Sequence, residues 1–173
     1  MVEVEIEKTY LAKNLPKDLE EFPHKEIIDI YIPASERHPV LRLRKSGESY
    51  EMTKKSPISG KDSSIQNEHT IKLTEEEFEA LSKIEGKRLR KIRYYYNYKS
   101  KPLEIGVFKD DLEGLILVDI EFKTKEEMDN IATPDFCLVD VTQEEVFAGG
   151  MLCGKKYSDI EERLKVLGYF RSI

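Results

Sequence analysis

Charged residues recur at a spacing of two in four stretches of this sequence. Glu3, Glu5 and Glu7 alternate with Val2, Val4 and Ile6, and Arg42 and Arg44 alternate with Leu41 and Leu43. Lys91 and Arg93 alternate with Ile92 and Tyr94, and Asp119 and Glu121 with Val118, Ile120 and Phe122. On a β-strand that spacing puts each set on one side of the sheet. Thr53 and Lys55 share a side in the same way, and Glu104 faces away from Leu103 and Ile105. Arginine and lysine donate to phosphate oxygens, arginine as a fork and lysine as a point charge. Grouped carboxylates are hard oxygen ligands suited to Mg²⁺ or Mn²⁺, which bind through one or two acids plus the phosphates of a substrate. Brought together, the two sets would hold a multiply charged anion with a divalent cation.

The elements that must position them read mainly as strands. Alternation or β-rich composition predicts strands over 2–11, 25–32 (ended by Pro33), 40–45, 49–55, 65–73, 87–99, 103–108 and 115–122. Ser46-Gly47-Glu48 and Ser100-Lys101-Pro102 are the expected hairpin turns. Thr74 with Glu77 forms a capping box, followed by Phe78, Leu81 and Ile84 at helical spacing. Further helices are expected at 124–131, 142–147 and 158–167, and a loop at 56–64. The sum is one α+β domain over 1–173, with about eight antiparallel strands and peripheral helices, able to close as a β-barrel. A charged face on any single strand is an ordinary solvated face. If the amphipathic helices pack outside a closed sheet, however, the charged faces line its lumen. Burial there is costly unless a counter-charge balances it.

Composition excludes several classes. Charged residues make up 36% of the 173, against roughly 25% in a typical soluble protein, yet 28 bases and 34 acids leave a net charge of only −6. That balance argues against a nucleic-acid partner. No apolar run reaches membrane-spanning length, and the acidic, alternating N-terminus is not a signal peptide. Two cysteines, Cys137 and Cys153, form neither a disulfide scaffold nor a metal motif, which points to a cytoplasmic protein.

The charged motifs, in order, resemble those of the CYTH superfamily, the triphosphate tunnel metalloenzymes. Glu5-Ile6-Glu7-Lys8-Thr9-Tyr10-Leu11 resembles its opening E-x-E-x-K strand, and Leu41-Arg42-Leu43-Arg44 followed by Gly47 and Thr53-Lys54-Lys55 resembles its R-x-R, glycine turn and T-x-K. Glu68 falls at its mid-chain glutamate. Lys91-Ile92-Arg93-Tyr94 is similar to its K-x-R-Y strand, Asp119-Ile120-Glu121 to its paired acids, and Asp140-Val141-Thr142 to its late E-V-T. The resemblance spans about residues 2 to 155. It implies an eight-stranded antiparallel tunnel that binds a triphosphate-containing small molecule with Mg²⁺ or Mn²⁺, in a monomer or homodimer. It implies metal ligation by Glu5, Glu7, Asp119 and Glu121, and phosphate binding by Arg42, Arg44, Lys55, Lys91 and Arg93.

On this basis the expected activity is hydrolysis of inorganic triphosphate or of an organic or nucleoside triphosphate. The conceivable proton-accepting residues are Lys8, Lys55 and Glu104. Two other readings stand beside it: a class IV adenylate cyclase, and a tunnel that captures polyphosphate without turning it over. Three departures from the family pattern favour the last. Thr9 replaces the lysine of the opening motif, Gly106 replaces an acid two residues after Glu104, and Gln66, Glu68 and Thr70 stand where R-x-E-x-E is usual. A one-residue offset turns a strand side chain to the other face, so Lys8 is expected to point outward when Glu5 and Glu7 point in. His24, His38 and His69 form no ligand pattern, Tyr94 to Tyr96 read as ordinary strand residues, and neither cysteine has a convincing base beside it.

Overall fold

A computed structural model describes residues 2–58 and 62–171. Among these described residues nine strands form: β1 (Val2–Ala12), β2 (His24–Ile32), β3 (Leu41–Ser46), β4 (Ser49–Pro57), β5 (Ile65–Leu73), β6 (Lys87–Tyr98), β7 (Lys101–Phe108), β8 (Ile116–Glu121) and β9 (Cys137–Asp140). Eight of them pair antiparallel in the order β5-β4-β3-β2-β6-β7-β8-β1, and β1 pairs back onto β5 through Val2–His69 to Ile6–Ile65, which closes the ring. The expected eight-stranded barrel is therefore present. The short β9 adds to β1 at Tyr10–Ala12, beyond the stretch that β5 occupies. Part of the loop expected at 56–64 lies outside the described residues (59–61), and β4 itself runs through Pro57.

Local sequence explains the elements. Gly47 takes φ +58 in the β3–β4 hairpin, a left-handed backbone that glycine adopts without steric cost. Helix α1 (Glu75–Leu81) begins at the Thr74 cap, with the Thr74 hydroxyl accepting from Glu77 N–H and the Glu77 carboxylate accepting from Thr74 N–H. Helices α2 (Lys125–Asp129), α3 (Gly149–Leu152) and α4 (Tyr157–Val166) follow. The expected helix at 142–147 is only a 3₁₀ turn, Glu145–Phe147.

Helices α1 and α2 pack on the outer face of the ring. One apolar cluster joins Ile30 and Leu43 on the outer face to Phe78 of α1. A second joins Tyr10, Tyr94, Leu103, Ile105, Val118 and Ile120 to Met128 of α2 and to Phe136. Each fully buried Ile or Leu of these clusters contributes roughly 1.5–3 kcal/mol. With the outer face so committed, alternation sends the intervening charged residues inward.

A third cluster lies across one end of the lumen. Leu11, Tyr31, Leu89, Phe108 and Leu117 pack with Leu152, Tyr157, Ile160, Leu164 and Tyr169. Register shows that those strand residues share the inner face: Leu11 opposes Leu117, which opposes Gly106, and Leu89 opposes Asp29. Glycine at 149 permits the approach of α3, because a Cβ there would stand 2.1 Å from the Tyr31 hydroxyl. The lumen thus has an apolar floor made by the C-terminal elements. The Tyr169 hydroxyl ties them to the barrel, accepting from Ile116 N–H at 2.9 Å and donating to the Gly114 carbonyl at 2.7 Å.

Candidate functional site

Cross-strand partners show which residues meet inside the barrel. Glu7 lies opposite Glu121, Thr9 opposite Asp119, and Asp119 opposite Glu104. Arg93 opposes Gly106, and Lys91 opposes Phe108. Arg44 stands between Asp29 and Glu51, Arg42 between Tyr31 and Thr53, and Lys55 opposes Glu68. Directly opposed residues share a face, so Glu5, Glu7, Arg42, Arg44, Lys55, Lys91, Arg93, Glu104, Asp119 and Glu121 all project into one lumen.

Charge is sorted by depth. Asp29 (2% exposed), Lys91 and Arg44 are buried nearest the apolar floor, with Arg42 and Arg93 little more exposed. Lys55, Glu5, Glu68 and Glu104 are half-buried, and Glu121 is exposed at the open end. A cavity of about 150 Å³ lined by Glu3, Glu5, Glu68 and Glu121 marks that mouth.

At depth, Asp29 holds Arg44 through a two-pronged contact, Nε to Oδ1 at 2.7 Å and Nη2 to Oδ2 at 2.8 Å. Burial acts against the ionised Asp29, but Arg44 and then Arg42 outweigh it and hold the carboxyl far below the usual carboxylate range. Asp29 was not among the residues expected from sequence. Its only sequence signal is a lone acid inside the apolar run Ile27-Ile28-Asp29-Ile30, a polar group that a buried strand must partner. Arg42 stands 4.0 Å from Asp29 and 3.7 Å from Glu51. Arg93 pairs with Glu104 at 2.6 Å. Nevertheless Arg42 Nε and Arg93 Nε are buried donors with no hydrogen-bond acceptor among the described residues. Such orphans are costly, and a phosphate oxygen in the lumen would relieve both.

Nearer the mouth, Glu5, Glu7 and Glu121 bring one carboxylate oxygen each to within 4.8 Å of one another. Burial, and next the Asp119 carboxylate, push the Glu7 carboxyl well above its ordinary range, against the pull of Lys55. Burial followed by Glu104 and Glu5 also raises Glu121. A mutually repelling set of hard oxygen ligands at the mouth fits a divalent cation. Asp119 points toward the set from the next layer and accepts the Thr9 hydroxyl at 2.9 Å. Lys55 makes a short contact to Glu5 and another to Glu68 at 3.5 Å. Burial would lower its ammonium, but Glu7 and Glu5 overcome that and raise it to about 12.

The three residues considered as proton acceptors are placed differently. Lys8 points outward, as the one-residue offset requires, and pairs with Asp140 at 3.6 Å beside an external cavity. Lys55 points into the lumen as a cation against Glu5 and Glu68, which with Glu7 favour its charged form. Glu104 remains in the lumen, salt-bridged to Arg93. The Thr9 and Thr70 positions are neutral: Thr70 donates to Glu68 at 2.9 Å and shares a hydrogen bond with Thr53. The Gly106 gap is filled by the stem of Lys91, since a Cβ there would lie 3.1 Å from Lys91 Cδ. Among the described residues, no helix is long and apolar enough to cross a membrane.

No protein-family model matches the chain. An inorganic triphosphatase of Nitrosomonas europaea is 29% identical over 143 residues, covering 81% of this chain and 90% of that protein. A crystal structure of an inorganic triphosphatase superposes with a TM-score of 0.63 at 27% identity, over 87% of this chain and 95% of that one. A conserved hypothetical protein of Pyrococcus furiosus shares the fold, with a TM-score of 0.51 and 19% identity over 96% of this chain and 91% of that one. Together with the ordered motifs and the closed charged barrel, these likenesses support an assignment to the CYTH superfamily of triphosphate tunnel proteins.

Proposed function

We propose that this protein is a metal-dependent hydrolase of inorganic triphosphate or of the triphosphate of an organic or nucleoside compound. The observation that carries the reading is the pair of orphaned guanidinium donors, Arg42 Nε and Arg93 Nε, among deep bases below a rim of acids. A linear polyphosphate entering from the mouth meets Lys55 first. Its terminal phosphate then comes to rest among Arg42, Arg44, Lys91 and Arg93. Asp29 fixes the Arg44 fork in advance, so little ordering is left for the moment of reaction. The apolar floor keeps bulk water from that end, which strengthens every charge interaction above it.

Glu5, Glu7 and Glu121 would hold Mg²⁺ or Mn²⁺, with Asp119 alongside. Such an ion, when bound, would neutralise charge on phosphate oxygens and lower the pKa of water. The protein side of the reaction is mostly electrostatic positioning, as phosphoryl transfer requires. The likeness to the Nitrosomonas europaea inorganic triphosphatase supports this substrate class. The test is phosphate release from tripolyphosphate, thiamine triphosphate and ATP, each with Mg²⁺ or Mn²⁺. Release from any of them is the expected result, and silence across the set would sink the proposal. Tight triphosphate binding without release would favour the capture module instead, a reading to which the neutral Thr9 and Thr70 positions lend some weight.

A further inference from the structure

Eight of the nine tyrosines belong to the three apolar clusters, and Tyr95 belongs to none of them. Its neighbours Tyr94 and Tyr96 turn outward, where their hydroxyls donate to Glu20 at 2.9 Å and to Asp18 at 3.1 Å. They are the ordinary strand residues that the sequence suggests. Tyr95 lies between them and takes the opposite face of the strand. Directly across from it on β7 is Glu104, which meets Arg93 inside the lumen. Tyr95 is half-buried, and among the described residues its hydroxyl has no hydrogen-bond partner and its ring no aromatic or cationic partner.

Strand β6 fixes the height of this ring. From the apolar floor its inner face runs Leu89, Lys91, Arg93 and Tyr95, and the next inner position, Asn97, is exposed. Alternate residues of a strand are separated by about 6.7 Å, which sets Tyr95 roughly 13 Å beyond Lys91 toward the mouth. A triphosphate with its terminal phosphate on Lys91 and Arg44 passes Arg93 on the way out, so the group at its other end arrives beside Tyr95. On the β1 side the rim is acidic, with Glu3, Glu5, Glu68 and Glu121. Carboxylates there favour a head group without negative charge. The unpartnered tyrosine offers a neutral π face, a surface on which planar rings stack whatever their edge chemistry.

We propose that Tyr95 is the platform for the head group of an organic triphosphate: a planar ring, such as a nucleobase, stacks on it while the phosphates fill the basic end below. This rests on the triphosphate reading above and narrows it, because a substrate that carries a ring gains a contact that a ringless one lacks. Tyr95 is a specificity residue and takes no part in the chemistry. Its contact is made equally before and during reaction, so it acts on KM and leaves kcat alone.

Two measurements test it. The chain contains no tryptophan, so Y95W puts a single indole at the mouth. ATP should quench its fluorescence, whether or not it is turned over. Methyl triphosphate, which has the phosphates but no ring, should quench it far less. An equal response to the two, or no response at concentrations where calorimetry shows both bound, would overturn the proposal. The second measurement is the ratio of kcat/KM for ATP to that for methyl triphosphate, each with Mg²⁺. In Y95A the ratio should fall about tenfold, through KM, and in Y95F, which keeps the ring, it should stay within about twofold. A loss in Y95A shared equally by both substrates would mark a merely structural residue and also overturn it. Quenching by ATP without phosphate release from any triphosphate would remove the hydrolase reading and leave the platform standing. Turnover of ATP that ignores Tyr95 would remove the platform alone, and failure of either triphosphate to bind would remove both.

Discussion

Asp29 organises the basic end of the site. Its carboxylate is buried beneath three bases and holds Arg44 with two short bonds. Replacing it with Asn leaves a buried arginine without its counter-charge, a loss of about 3–5 kcal/mol. Because the folded-state pKa is depressed, the stabilisation is complete above the unfolded carboxyl value near 3.8 and disappears only as pH falls toward the folded value. Urea denaturation of D29N and wild type should therefore show a constant gap from pH 7 down to about 4, narrowing only below that. Glu7 has the opposite sign. Its raised pKa means that ionisation costs the metal-free fold stability as pH rises through the folded value. E7Q should raise the metal-free melting temperature by about 2–4 °C, the shift that roughly 1 kcal/mol produces at this size. If Mg²⁺ binds this set, it should raise the melting temperature of the wild type further and leave E7Q unmoved. Most of the acids and bases were legible in sequence because they sat in same-face doublets; Lys55 and Glu104 stood out singly. Asp29 was not, because its same-face neighbours, Ile27 and Tyr31, are apolar or aromatic and the strand read as plain core.

At the scale of the element, β1 shows how much one residue of register decides. Glu5 and Glu7 point into the lumen and Lys8 points out to Asp140. K8A should cost under about 1 kcal/mol, as surface pairs do. It should leave kcat/KM within about twofold, and a loss beyond tenfold, about 1.4 kcal/mol of barrier, would return Lys8 to the site. Strand β8 depends on an element far away in sequence. The Tyr169 hydroxyl completes the hydrogen bonding of Gly114 and Ile116 where β8 begins. Y169F should lower stability by about 1–3 kcal/mol, because it leaves a buried backbone N–H unanswered. Thermal melts of the variant check this. The strands were mostly readable, since alternation is a strong local signal. The exception was β9: Cys-Leu-Val-Asp is too short to alternate visibly, and its pairing with β1 is a property of the fold. Helix 142–147 shrank to a single 3₁₀ turn, with Ala148 and Gly149 leading directly into α3.

For the whole molecule, alternation implied two faces but could not say that the sheet closes. Closure comes from β1 meeting β5, a contact between segments about sixty residues apart that no local pattern encodes. Nor could it show that Leu11, Leu89, Phe108 and Leu117 face inward, because apolar residues on a strand read as core from either side. Their packing against α3 and α4 makes the barrel a dead end rather than a passage. Anything that enters must go in end-first and come out the way it came. A chain of many phosphates would then be shortened only from its tips, releasing and re-entering between cuts, and a ring of phosphates would offer no tip at all. Gel separation of linear polyphosphate during digestion should show a gradual loss of length without early mid-sized fragments, and trimetaphosphate should survive intact. Because arrivals and departures share one opening, pyrophosphate left behind should obstruct the next substrate, and the slow event under crowded conditions should be the emptying of the cup.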